Sequence, residues 1–201
     1  MNNDLLTALL DQAGTNWNMD EAAIQDAMNR IAFHESKSDP VAWQLLNDGT
    51  YGKGRGLYQY EIGDQGGAHT AINRLISFNK KSGNKYNISF LDAIIDDKSY
   101  DFSQLTPEQQ SMLFLADKLG DETANMGRYD TNNDNVLSDK ELAGFHADEH
   151  WAGYGNVQDV IYGLMGGQGP TDTPLPILSQ GDIDRQTFID KIIKDYQAYK
   201  P

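Results

Sequence analysis

A mainly α fold of α+β type is what this sequence predicts. The expectation rests on apolar residues recurring at helical spacing along much of the chain. It also rests on one glycine-rich stretch with aromatic and polar residues alternating, and on one acidic loop between helical segments. Leu5–Ala13 is a first candidate helix, followed by the amide-rich break Asn16–Asn18. Asp20–Ser36 carries Ile24, Met28 and Ile31 on one stripe and predicts a second. After a break at Asp39–Pro40, Tyr51–Glu61 has glycines at alternate positions (Gly52, Gly54, Gly56) and reads as a small, irregular β-hairpin.

Gly67–Lys81 places Ala68, Ile72, Leu75 and Ile76 on one face and should end near Gly83. Ser89–Ile95 is a short helical stretch. Thr106-Pro107-Glu108-Gln109 is a helix start, with a threonine cap, proline in the first turn, then acidic and amide side chains. The run through Met112, Leu113, Leu115, Ala116 and Leu119 predicts a buried central helix. Residues 163–181 combine glycines with Pro170, Pro174 and Pro176 and read as a loop. Asp182–Tyr199, with Phe188, Ile189, Ile192, Ile193 and Tyr196 on one side, predicts a final helix docked on the body. A chain of 201 residues is long enough for one domain with a proper core, so a single domain over 1–201 is expected.

Composition narrows the function classes. The chain has no cysteine and therefore no disulfide staple. No apolar run is long enough for a membrane span. Met1-Asn2-Asn3-Asp4 lacks the basic region and hydrophobic stretch of a secretory signal. A net charge of -14 argues against nucleic acid as a partner. It equally disfavours free diffusion onto an anionic cell wall, so a wall-directed protein of this charge would need to be carried there.

Glu35 is the residue that breaks the pattern. The stripe Ile24, Met28, Ile31 continues onto it, placing an acid on the core-facing side of a helix. It also falls in the last turn, where the helix dipole disfavours negative charge. Burial and dipole both favour the protonated form, as a general acid working near neutral pH requires.

Glu35-Ser36 at a helix end, followed by Gly56-Leu57-Tyr58-Gln59, resembles the Glu-Ser…Gly-Leu-Met-Gln pattern of the lysozyme-like lytic transglycosylases. Tyr58 stands where that family commonly has methionine or another bulky residue, and the likeness covers Ile24–Glu61. The resemblance implies a lysozyme-like helical domain that cleaves the MurNAc–GlcNAc β-1,4 bond of peptidoglycan glycan strands. Glu35 would be the acid/base, with Ser36, Tyr58 and Gln59 near substrate. Acting alone, Glu35 implies anhydro-forming transglycosylase chemistry. A second carboxylate holding a water implies a hydrolytic muramidase instead, and Glu61 is its candidate, because alternation puts Gln59 and Glu61 on one face of a strand. Together with the charge, the resemblance suggests an enzyme carried in a bacteriophage virion beside other virion proteins and acting in the bacterial periplasm or wall. A non-catalytic wall-binding or virion structural protein is the reading of another class.

Asp130-Thr131-Asn132-Asn133-Asp134-Asn135-Val136-Leu137-Ser138-Asp139-Lys140-Glu141 has the spacing of an EF-hand calcium loop. Side-chain oxygens of Asp130, Asn132, Asp134, Ser138 and Glu141, with the Val136 carbonyl, would form the shell of a structural Ca2+. Asn135 replaces the usual glycine at the sixth position, and asparagine tolerates the positive φ required there. Such an ion would join the helix after Met112 to the one containing Phe145. Some lytic transglycosylases carry a calcium site of this kind.

His146-Ala147-Asp148-Glu149-His150 fits the H-x-x-E-H pattern of inverted zinc peptidases. That chemistry needs a third ligand, a downstream glutamate in that family, and no glutamate follows Glu149. Trp151-Ala152-Gly153-Tyr154-Gly155-Asn156 has the residue types, in scrambled order, of the Ala-Tyr-Asn-Ala-Gly segment that the transglycosylases place opposite their glutamate. Trp151 and Tyr154 are therefore candidates for a sugar-stacking wall.

Overall fold

The computed structural model describes residues 3–45, 49–63, 66–150 and 180–200. The chain divides into two compact units, Met1–Asn125 and Met126–Pro201, where its length had suggested a single domain. Helices dominate, with one three-stranded antiparallel sheet, so the mainly helical α+β expectation holds. Among the described residues no helix is long and apolar enough to cross a membrane.

The first unit begins with helices α1 (Asn3–Trp17) and α2 (Glu21–Ser36). Helix α1 runs a turn beyond its expected end because Leu9, Ala13 and Trp17 continue one buried stripe at intervals of four. Asn18, in the left-handed region at φ 54°, then turns the chain. Helix α2 buries Ile24, Met28 and Ile31 as expected, and Lys37 at φ 55° closes it, its own amide donating to the Phe33 carbonyl and the Ser38 amide to that of Ala32.

Three short strands follow: β1 (Trp43–Leu45), β2 (Tyr51–Arg55) and β3 (Tyr60–Glu61), in spatial order β1-β2-β3. Strand β1 was not foreseen; Trp43-Gln44-Leu45 is too short to show a period. Trp43 pairs with Arg55 and Leu45 with Tyr51, with an irregularity between the two pairs. Residues Gly56–Gln59 form the turn from β2 to β3 rather than continuing a strand.

Helix α3 (Gly67–Lys81) has the expected limits, although Ile76 of its apolar stripe is exposed. A 310 turn over Ser89–Leu91 runs into α4 (Asp92–Asp96). Helix α5 (Pro107–Leu119) starts on a full capping box. The Thr106 hydroxyl accepts from the Gln109 amide, and the Gln109 side chain accepts from the Thr106 amide. Every residue from Met112 to Lys118 is buried, and α1 and α3 both pack on this helix.

A helix buried on all faces must satisfy whatever polar groups it carries. Asp117 accepts from the Tyr60 hydroxyl at 2.8 Å and from Arg74 at 2.6 Å. Burial first, then the Asp117 charge, holds the Tyr60 phenol well above its ordinary range. This network ties β3 and α3 to α5.

In the second unit, a 310 turn over Met126–Tyr129 leads into the loop before α6 (Asp139–His150), and α6 packs against α7 (Gln180–Ala198). Ile189, Ile192 and Tyr196 are buried, as the apolar side of that last helix predicts. The proposed loop over 163–181 lies almost entirely outside the described residues.

Asp121 gives this fold a measurable acid limit. The Thr123 hydroxyl and amide, with Arg74, outweigh partial burial and hold its carboxyl down to about 2. Because that value is depressed, the stability it contributes is present above the ordinary carboxylate value and is lost as pH falls through about 2. Urea unfolding compared at pH 6 and pH 2 should lose about 1 kcal/mol less in Asp121→Asn than in the parent, after screening at this half-buried site.

Candidate functional site

Glu35 is the penultimate residue of α2 and is half-buried, in the last turn where its position in the stripe puts it. Ser36 turns its hydroxyl back onto the Ala32 carbonyl at 2.9 Å, so this group closes the helix. The chain then winds on through hydrogen bonds from Ser38 to Ala32, Asp39 to Ser36 and Ala42 to Asp39. From Ala42 the carbonyl accepts the Gly56 amide at 2.9 Å. The turn carrying Gly56-Leu57-Tyr58-Gln59 is thereby joined to the segment leaving α2.

One buried side chain completes the join. Gln110 of α5 is 1% exposed. Its Oε1 accepts the Leu57 amide at 2.7 Å, and its Nε2 donates to the Pro40 carbonyl at 2.9 Å and the Leu105 carbonyl at 3.0 Å. These bonds fix the glycine turn and the post-helix loop to the same point of the core. Gly56 is required twice over. Its φ is +74°, and a Cβ there would lie 2.2 Å from Gln110 Oε1. Gln110 was not singled out from the sequence. Its signal was a second amide in the first turn of the central helix, beyond the Gln109 that the cap already uses.

Several expected site residues have other duties. Tyr58 is in the core, not in a cleft. It is 2% exposed, stacks on Phe114 with ring centroids 4.4 Å apart, and shares a hydrogen bond with Ser111. Burial pushes its phenol up to about 12, Ser111 offsetting only part of the effect. Gln59 sits in the turn at φ 49°, which breaks the alternation assumed for it. Its Nε2 donates to the Gly56 carbonyl at 2.7 Å, closing the turn, while its Oε1 is buried with no hydrogen-bond partner. Glu61 is exposed on β3, whereas its neighbour Tyr60 points into the core. Gln59 and Glu61 therefore do not form the shared strand face expected of them. Trp151 and Tyr154 lie outside the described residues.

The acidic loop lies wholly within the second unit. Its incoming flank is the 310 turn Met126–Tyr129. Asp130 accepts from the Asp134 and Asn135 amides, Asn132 from the Asp134 amide, and Asp134 from the Val136 amide. Asn135 takes φ 63°, the left-handed geometry expected at the sixth position, and Leu137 is buried beneath the loop. Glu141 Oε1 accepts from the Thr131 amide and hydroxyl, and Oε2 from the Ser138 amide at 2.9 Å. Burial opposes ionisation of Glu141, but these donors prevail and hold its carboxyl below the usual value. The donor set is all oxygen, which suits calcium.

His146 is fully buried, and its Nδ1 lies 2.6 Å from the Tyr196 hydroxyl. This ring nitrogen joins α6 to α7. The side chains of Glu149 and His150 lie outside those described.

Replacing Gln110 with alanine should cost about 2–4 kcal/mol in urea unfolding, because a buried amide and two carbonyls lose their partner. Hydrogen exchange at the Leu57 amide should speed up further than that loss of global stability accounts for. Comparisons with known proteins give no match to this chain among family models, curated proteins or solved structures.

Proposed function

We propose that this chain is a lysozyme-like enzyme that cleaves the MurNAc–GlcNAc β-1,4 bond of peptidoglycan by lytic transglycosylation, with Glu35 as its acid and base. The observation that supports it best is the coupling through Gln110. The helix end bearing Glu35 is followed by a loop held to the same buried amide as the Gly56–Gln59 turn. The loop that follows Glu35-Ser36 and the Gly56–Gln59 turn are thus held by one side chain.

In this reading the Glu35 carboxyl gives its proton to the glycosidic oxygen as the bond to MurNAc C1 breaks. The GlcNAc-terminated strand leaves as an alcohol. The N-acetyl group of MurNAc shares the developing positive charge. The Glu35 carboxylate then takes the proton of the MurNAc 6-hydroxyl, whose oxygen bonds to C1 and closes a 1,6-anhydro ring. No water is consumed. Glu61 is exposed and sits outside the core-facing pattern, which favours this one-carboxylate chemistry over the muramidase that would use both.

The Asp130–Glu141 loop belongs to the same proposal as an EF-hand-type site for structural Ca2+. Asp130, Asn132, Asp134, Ser138 and Glu141 would hold the ion together with the Val136 carbonyl. The ion would supply charge neutralisation and stiffness to the second unit and take no part in bond cleavage. Binding would exchange the hydrogen bonds that Glu141 makes to Thr131 and Ser138 for metal contacts. Carriage in a phage virion, with action in the bacterial periplasm or wall, fits a chain whose charge of -14 would otherwise keep it from an anionic polymer.

Mass spectrometry of soluble fragments from purified peptidoglycan tests the catalytic part. The parent should release anhydro-muropeptides, and Glu35→Gln should reduce them by at least about a thousandfold, as loss of an essential acid does. Reducing-end fragments would instead indicate a muramidase. No fragments from the parent with calcium supplied would leave a non-catalytic wall or virion protein.

Calorimetric titration tests the metal. One calcium should bind per chain, with a dissociation constant of about 0.1–1 mM, and raise the thermal midpoint. Glu141→Gln should remove most of that rise.

A further inference from the structure

A surface with no role in the chemistry above lies on the open face of β1 and the start of β2. Trp43 is 51% exposed and Tyr51 67%, and their rings meet edge to face with centroids 5.7 Å apart. The Arg55 guanidinium lies 4.1 Å from the centre of the Trp43 ring. Arg55 is itself anchored, its Nη1 donating to the Gly52 and Gly54 carbonyls at 2.8 Å each. One indole face is thus backed by a fixed cation, while half of the residue's surface stays open to solvent. Trp43 and Tyr51 line a groove with Val41, Ala42 and Asp39. Asp39 Oδ1 accepts the Val41 amide at 3.0 Å, which leaves its second oxygen as an acceptor at the rim.

We propose that this groove is a glycan subsite in which Trp43 stacks on an N-acetylglucosamine ring and Asp39 accepts from its hydroxyl or amide N–H. The proposal takes the identity of its ligand from the glycan-cleaving reading. Three features select a sugar. A flat, rigid indole suits the apolar C–H face of a pyranose, and the backing cation holds it flat without side-chain entropy loss on binding. A neighbouring carboxylate matches the sugar's rim of hydroxyl and amide donors. The patch is also far smaller than the roughly 20–30 residues per side that a stable protein interface needs. The groove continues the winding that begins at the end of α2, since Asp39 hydrogen-bonds to Ser36, the residue after Glu35. A strand seated on Trp43 would therefore run along the segment that leads to the acid.

The test uses the full chain carrying Glu35→Gln, so that bound glycan stays intact, with the N-acetylglucosamine tetramer and purified peptidoglycan as probes. The tetramer should shift tryptophan emission. Trp43→Ala should weaken binding of both probes by about tenfold. Trp43→Phe, which keeps a ring, should retain part of the affinity and lose the emission change. Equal affinity in Trp43→Ala, or no tetramer binding by the starting protein, overturns the subsite. So does a Trp43 effect confined to concentration-dependent self-association in size-exclusion chromatography. The two readings fail separately. Trp43-dependent binding in a protein whose Glu35 form releases no fragments keeps the subsite and removes the enzyme. Glu35-dependent fragments with Trp43-independent binding do the reverse.

Discussion

The first unit depends on the side-chain amide of Gln110. An amide inside an apolar helix is expensive unless its groups are met, and here both ends are used, the oxygen by Leu57 and the nitrogen by Pro40 and Leu105. The same bonds that satisfy the glutamine also satisfy backbone groups of segments too irregular to pair with a neighbouring strand. Removing the amide would leave the Leu57 N–H and the Pro40 and Leu105 carbonyls without that partner. The turn at Gly56 is shaped around it so closely that no side chain fits between.

Asp117, seven residues further along α5, repeats the device with charge. Tyr60 and Arg74 reach it from β3 and α3. Lys118 also lies 3.5 Å from the same carboxylate, so its negative charge is buried with compensating cations beside it. The small sheet is therefore pinned to the central helix at both ends of its last turn, at Leu57 by an amide and at Tyr60 by a carboxylate. This arrangement explains why so short a sheet keeps a defined register. Its strands bury few residues of their own, and the helix beneath supplies the order.

Much of this was legible in the sequence where a period or a cap was long enough to read. Helices α2, α3 and α5 were recoverable because their apolar spacing and the Thr106–Gln109 box are local signals. The positive φ at Asn135 was legible for the same reason, its position being fixed by sequence spacing alone. Strand β1 was not, since three residues hold no period. Gln59 and Glu61 were put on one strand face by an alternation that a positive φ at Gln59 destroys, and Tyr58 was put near substrate by the resemblance alone. The functional weight of Gln110 was hidden because its partners lie 53 and 70 residues away. The Trp43 surface was missed with its strand, since only the cross-strand pair with Arg55 reveals that the indole is held.

Those separations of 53 and 70 residues also set an order of assembly. During synthesis the ribosome releases Glu35, Pro40 and the Gly56 turn well before Gln110 exists. Until α5 has emerged and docked, Leu57 and Pro40 have no amide to hold them, and a loop of that length closes slowly on its own. A nascent or truncated chain ending before Gln110 thus carries the acidic helix end without its framework. The geometry around Glu35 is a property of the finished unit, and it comes into being late.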